Sequence, residues 1–187
     1  MDFASYSEIA LDLANVEPYD DPDDDGLLDV LRTHFPKMAK RLNDADLPPL
    51  RELHTRLRTI MQAEDEAVAV EQLNILLLAN PINPEISGHS HDDGREDQWH
   101  LHLSRDTASV SAHAAAVSAM GLTAALIDHG FDRRGTCSHT TCRDVYIDGS
   151  PGGTRRYCSD SCQNRANVAA WRARKRAEAQ QDASAET

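Results

Sequence analysis

Aromatic side chains are scarce in this chain: Phe, Trp and Tyr make up 5% of its 187 residues, against 40% hydrophobic residues in all. A core built on large rings is excluded, and an aliphatic, mainly helical one is implied. No apolar run approaches the roughly 20 residues that span a bilayer. The opening MDFASYSEIALDLANVEP lacks the basic start and cleavage pattern of a secretory signal. No membrane partner is expected, and a cytoplasmic location is. Also missing are a Ser-His-Asp signature, an HExxH pair and a glycine-rich phosphate loop, so an enzymatic reading has little to rest on.

Cysteine is sparse too, and its four copies are confined to Cys137, Cys142, Cys158 and Cys162. In a reducing compartment such a compact set holds a metal more readily than it forms two disulfides. The spacing is Cys-x4-Cys-x15-Cys-x3-Cys, two close pairs joined by a segment long enough to fold back and bring them around one ion. Thiolates are soft ligands, and four of them complete a tetrahedral structural zinc site with no position left for a catalytic water. His139 lies within the first pair and is expected as a neighbour rather than a ligand.

Upstream, helical periodicity dominates. A short helix is expected over residues 5–15, with Ile9, Leu11, Leu13 and Ala14 making apolar contacts, followed by a solvated acidic turn over residues 20–26. Leu27, Leu28, Leu31 and Phe35 mark a second helix, and Pro36 either breaks it or starts a further segment reaching Leu42. Pro48 and Pro49 start a third, whose Leu50, Leu53, Leu57, Ile60 and Met61 form one packing stripe. The segment from Ala67 to Ala79 is apolar around most of its circumference and is expected to be the most buried helix. A last alanine-rich helix over 107–129 ends at Gly130, a suitable C-terminal cap.

Between these helices the period changes. In Trp99-His100-Leu101-His102-Leu103-Ser104, apolar and polar residues alternate, so Trp99, Leu101 and Leu103 share one face of a strand and His100 and His102 the other. Residues 85–89 offer a partner strand and Asp92-Asp93-Gly94 a turn. His89 and His91 then come near His100 and His102, which raises a second metal or hydrolytic site as an alternative to ordinary polar contacts on a solvated strand face.

The net charge of −12 hides an asymmetry. Residues 1–130 carry −15, residues 131–176 carry +6, and the last eleven carry −3. A basic segment on an acidic body is the pattern of a local anion-binding face. Within the cysteine module, Val145-Tyr146-Ile147 reads as a strand, 149–153 as a turn and 154–157 as a returning strand. A helix capped by Ser159 or Ser161 then runs to about Arg176. On it Arg165, Arg172 and Arg176 share a narrow stripe, with Val168 and Trp171 to one side. Arg155, Arg156, Arg174 and Lys175 extend the positive surface. A module this small buries too little to fold unaided, so metal binding should supply most of its folding free energy.

The runs Tyr146 to Ser150, Arg155-Arg156-Tyr157-Cys158-Ser159 and Cys162-Gln163-Asn164-Arg165 resemble the CGNR zinc finger. The N-terminal part, with Ala10-Leu11-Asp12-Leu13-Ala14-Asn15 and the Trp99 to Leu103 strand, resembles the ABATE domain that accompanies that finger in bacterial proteins. Two departures bear on where the helix starts: Gln163 stands where the family motif has glycine, and the last cysteine pair is spaced by three residues where four is common.

The fold expected is mainly α with a small β-hairpin. An ABATE-like helical domain over 1–130 contains the hairpin near 85–104, a treble-clef-like zinc finger with a basic helix occupies 131–178, and 179–187 form a flexible tail. The resemblance implies a stress-linked transcription regulator whose finger contacts DNA and whose N-terminal domain senses or binds a small molecule or protein. A homodimer would supply a second DNA contact. The rival is a protein-interaction adaptor whose basic helix docks on an acidic partner, and the remaining alternative is a metal-dependent enzyme using His89, His91, His100 and His102.

Overall fold

The computed structural model describes residues 3–16, 26–87, 99–103 and 108–185. The expected acidic turn at 20–26 and the Asp92-Asp93-Gly94 turn lie mostly or wholly outside them. The chain is mainly helical, with two small antiparallel strand pairs. In order come α1 (Phe3–Ala14), α2 (Gly26–His34), α3 (Leu47–Gln62), α4 (Glu66–Ala79), β1 (Glu85–Ser87), β2 (His100–His102), α5 (Val110–His129), β3 (Arg134–Thr136), β4 (Val145–Ile147) and α6 (Asp160–Ala185).

Each expected packing stripe faces the core. Ile9, Leu13 and Ala14 of α1, Leu27, Leu28 and Leu31 of α2, and Leu50, Leu53, Leu57, Ile60 and Met61 of α3 are all buried. After α2 the chain tightens into short 3₁₀ turns at Met38–Arg41 and Asp44–Asp46. Asp46 is buried there and joins two elements. Its Oδ1 accepts from the Ser111 main-chain N–H at 3.1 Å and from the Ser111 hydroxyl at 2.7 Å, at the start of α5. Its Oδ2 accepts from the Asn43 N–H at 3.2 Å.

The most buried helix is α5, not α4. On α4 only Ala69, Leu73 and Leu76 are buried, while Leu78 is 85% exposed and Val68 and Ile75 are partly open. α4 packs on α3 and α5 from one side, whereas α5 is contacted by α1, α3 and α4 together. An apolar circumference therefore did not measure burial. α5 is also long and apolar enough to cross a membrane by length and composition, which the sequence expectation overlooked, but it serves as the core helix of this fold. Its alanines, and Gly121 in particular, let α1 lie against it: a Cβ at position 121 would stand 2.3 Å from the Tyr6 carbonyl carbon and 2.6 Å from the Ser7 nitrogen. Gly130 ends α5 as expected, with φ at 103° and its N–H on the Leu126 carbonyl at 3.0 Å.

The hairpin expected near 85–104 forms, with Glu85 opposite His102, Ile86 opposite Leu101 and Ser87 opposite His100. Leu103 is buried and Leu101 packs on the core, but Trp99, just before the ladder begins, is 77% exposed.

A boundary near residue 130 separates chain segments but not cores. Val145 and Ile147 of β4 belong to the same buried cluster as the helices. Arg58 donates to the Ala14 carbonyl at 2.9 Å and to the Arg143 carbonyl at 3.1 Å. Arg134 donates to the carbonyls of Ile60 at 2.6 Å and Ala63 at 3.2 Å, satisfying acceptors that the end of α3 leaves open. The Asn15 side chain bonds both main-chain groups of Val145. The hairpin of the cysteine module is thus held by the helical core as well as by any metal.

Candidate metal centre

Two structural units deliver the cysteines. Cys137 and Cys142 sit in the turn between β3 and β4, where the Cys137 N–H meets the Asp144 carbonyl at 2.8 Å and the Cys142 N–H the His139 carbonyl at 3.0 Å. Cys158 and Cys162 sit at the start of α6, capped by Ser159, whose hydroxyl accepts from the Cys162 N–H at 3.3 Å. Ser159 is therefore the cap and Ser161 is not. The four sulfurs lie within 4.8 Å of one another, with Cys142 to Cys158 and Cys158 to Cys162 both at 3.6 Å. A tetrahedron of thiolates about 2.3 Å from zinc has edges of roughly 3.8 Å, so the donor set and its spacing fit one zinc ion. Burial, with hydrogen bonds to Asp144 and the neighbouring cysteines, pushes the Cys142 thiol up to about 11 and the Cys158 thiol higher still. Binding the ion must therefore displace protons. Cys162 behaves differently: burial would raise it, but hydrogen bonds with Cys158, Ser159 and Arg165 bring it down to about 7.

The hairpin that positions the first pair is not the expected one. β4 pairs backwards with β3, Thr136 opposite Val145 and Arg134 opposite Ile147, while residues 154–157 form no strand. Side chains hold that returning segment instead. Asp148 accepts from the Ser150 N–H at 2.9 Å and the Arg155 N–H at 2.8 Å, and the Tyr146 hydroxyl donates to the Arg155 carbonyl at 2.7 Å. These bonds consume the backbone groups a strand would have used.

His139 stays out of the cluster, its Nδ1 facing the Thr141 hydroxyl at 3.2 Å. Among the described residues the four cysteines are the group that could hold a metal. His89, His91 and the side chain of His100 lie outside those residues. His102 is half-buried on β2.

The seven basic candidates divide into two sets. Arg155 is exposed but folds back on its own segment: its guanidinium bonds the carbonyls of Tyr157, at 2.9 Å, and Cys158, and lies 4.9 Å from the Tyr146 ring centre. Arg165 donates to the Cys162 sulfur at 2.9 Å. Arg156, Arg172, Arg174, Lys175 and Arg176 are exposed, and Lys175 pairs with Glu178 at 2.9 Å. Sequence reasoning missed the residues that dock the module, Arg58 and Arg134, for which charge gave no signal.

Beyond Ala166, α6 is exposed on every side through Gln181. Val168 is 46% and Trp171 54% exposed, so the apolar side of this helix is left open to solvent. The helix does not stop near Arg176 but continues to Ala185, through most of the segment expected as a tail, because alanine, glutamine and glutamate there favour a helix and no proline or glycine interrupts it.

A family model described as "Putative stress-induced transcription regulator" (ABATE) matches residues 7–129. A model of the CGNR zinc finger matches residues 133–175. No curated protein matches the chain.

Proposed function

The chain belongs to the ABATE family and carries a CGNR zinc finger, and on that footing we propose that it is a zinc-dependent, DNA-binding transcription regulator of the stress response. In this reading the zinc is structural and no reaction is catalysed, since four thiolates leave the ion no open position. The ion joins the β3–β4 turn to the first turn of α6 and so fixes the direction in which α6 leaves the body. Arg172, Arg174, Lys175 and Arg176, with Arg156 beside the helix start, then meet phosphates. The observation that carries this reading is that α6 stands clear of the body with its basic side chains exposed. The acidic helical domain repels phosphate, which confines contact to the helix. A cavity of about 330 Å³ between α3, α4 and α5, lined by Leu53, Arg56, Leu76, Asn80 and Ser111 among others, is where a small-molecule signal would enter.

The test is binding of the zinc-loaded protein to genomic DNA fragments across a salt series. Affinity should fall steeply as salt rises, Arg172→Ala should weaken binding and flatten the logarithmic salt slope by about 1, and Cys158→Ser should abolish selective enrichment. A folded, zinc-loaded protein that binds no fragment at low salt overturns the reading. One observation favours a second reading, a protein-interaction adaptor: Val168 and Trp171 expose apolar surface on the same helix. An adaptor would bind its protein partner stoichiometrically in the presence of competitor DNA, and Trp171→Ala would remove that binding.

A further inference from the structure

A divalent ion held by four thiolates leaves a centre with a net charge of about −2, and charge withdrawn from water must be compensated nearby. Cys162 is 2% exposed and Cys137 6%, so half of this centre lies in the interior. Its surroundings do not neutralise it by default. The Asp144 carboxylate stands 3.2 Å from the Cys158 sulfur and adds a further negative group. Arg155 is near, but it directs three of its N–H groups at the carbonyls of Tyr157, Ile147 and Cys158 and not at a sulfur. Among the described residues one guanidinium bonds a cysteine sulfur directly: Arg165, with Nη2 2.9 Å from Cys162 Sγ.

The placement follows from the helix. Cys162 and Arg165 are three residues apart on α6, a spacing that sets side chains side by side on one face. Arginine suits the task better than lysine, since its planar fork keeps its charge at any working pH and directs an N–H at the sulfur. We propose that Arg165 is a positioning residue of the zinc centre: its N–H···S bond to Cys162 draws electron density from that thiolate, balances part of the centre's charge and ties the metal to the first turn of α6. Arg165 thereby leaves the set of phosphate contacts that its alignment with Arg172 and Arg176 suggested. The assignment concerns the metal centre and stands whether or not the helix binds DNA.

The experiment compares full-length wild type with Arg165→Ala, Arg165→Lys and Arg172→Ala. Zinc affinity is measured by chelator competition, cysteine reactivity by the rate of alkylation, and the sulfur-to-metal charge-transfer band on the cobalt-substituted protein. Arg165→Ala should weaken zinc binding by about 10- to 100-fold, the range for outer partners of metal ligands. It should also speed alkylation and move the charge-transfer band to lower energy, as a thiolate without its N–H donor is more electron-rich. Arg172→Ala should match wild type in all three. If the alanine variant does not fold, Arg165→Lys decides: it keeps the charge but not the directed fork, and should weaken zinc binding several-fold with a smaller band shift. Zinc affinity, alkylation rate and band position equal to wild type, in Arg165→Ala or, failing that, in Arg165→Lys, would overturn the assignment.

Discussion

The side-chain amide of Asn15 meets both main-chain groups of Val145, accepting from its N–H at 2.7 Å and donating to its carbonyl at 2.9 Å. A primary amide has the donor and acceptor of a peptide unit, so Asn15 acts as one added rung on the edge of β4, tying the end of α1 to a strand 130 residues away in the chain. Asn15→Ala leaves two half-buried backbone groups unpaired and should destabilise the zinc-loaded protein by about 1–3 kcal/mol. Urea denaturation checks this. Asn15→Asp should do no better, because it keeps the acceptor, loses the donor and sets a charge against a carbonyl oxygen.

Gly121 is where α1 and α5 approach most demandingly. The methyl group of Gly121→Ala would fall 2.3 Å from a backbone carbon of Tyr6, and backbone cannot swing aside as a side chain can. Separating the two helices should cost about 1–3 kcal/mol, read as a lowered thermal midpoint, although alanine is the better helix former by propensity. A midpoint at or above that of wild type would mean that α1 shifts without loss of packing.

Asp46 gives the helical domain an acid-sensitive joint. Burial pushes its carboxyl up, but hydrogen bonds from Ser111 and Asn43 and the nearby Arg41 outweigh burial and hold it below its ordinary value. A carboxyl depressed on folding contributes stability that is complete above the unfolded value of about 3.9 and is lost as pH falls through the lower folded value. Asp46→Asn should therefore be clearly less stable than wild type at pH 7, and the gap should close as pH drops below about 4. A gap that stays constant across that range would show that the charge of Asp46 plays no part.

Removing zinc should unravel α6 first. The helix draws its fixed start from Cys158, Cys162 and the Ser159 cap, and its residues from Asn167 to Gln181 are exposed. A helix without tertiary contacts is marginal in water. A tight chelator should lower the helical circular dichroism while the core of α1, α3 and α5 persists, and restoring zinc should recover the signal. An unchanged spectrum would assign the helix to intrinsic propensity.

These relationships mark the limit of what the sequence discloses. The stripes of α2 and α3 and the cysteine spacing were legible because each encodes geometry in a period: Leu50, Leu53 and Leu57 must share a face, and two close cysteine pairs must converge to serve one ion. α4 and α5 could not be ranked, since a helix apolar all around does not say how many neighbours cover it. The partner of β4 was missed because Arg134-Gly135-Thr136 carries no strand signal, whereas 154–157 looked extended and is held by Asp148 and Tyr146 instead. The basic residues misled in another way. Charge counts treat Arg155, Arg165 and Arg172 alike, but the acceptors that claim the first two are a carbonyl cluster and a sulfur, visible only once the chain has folded.

At 1.5 Å per residue α6 reaches roughly 39 Å, longer than most helices in a domain of this size. Held at one end, it is a lever with its fulcrum at the cysteines. A tilt of about 10° at the first turn would sweep the far end through roughly 7 Å. Small displacements at the Asn15 and Arg58 clamps would thus be magnified at Arg172 and Arg176, so the accuracy with which the basic side chains are aimed is set far from them, in the seam between the finger and the helical core.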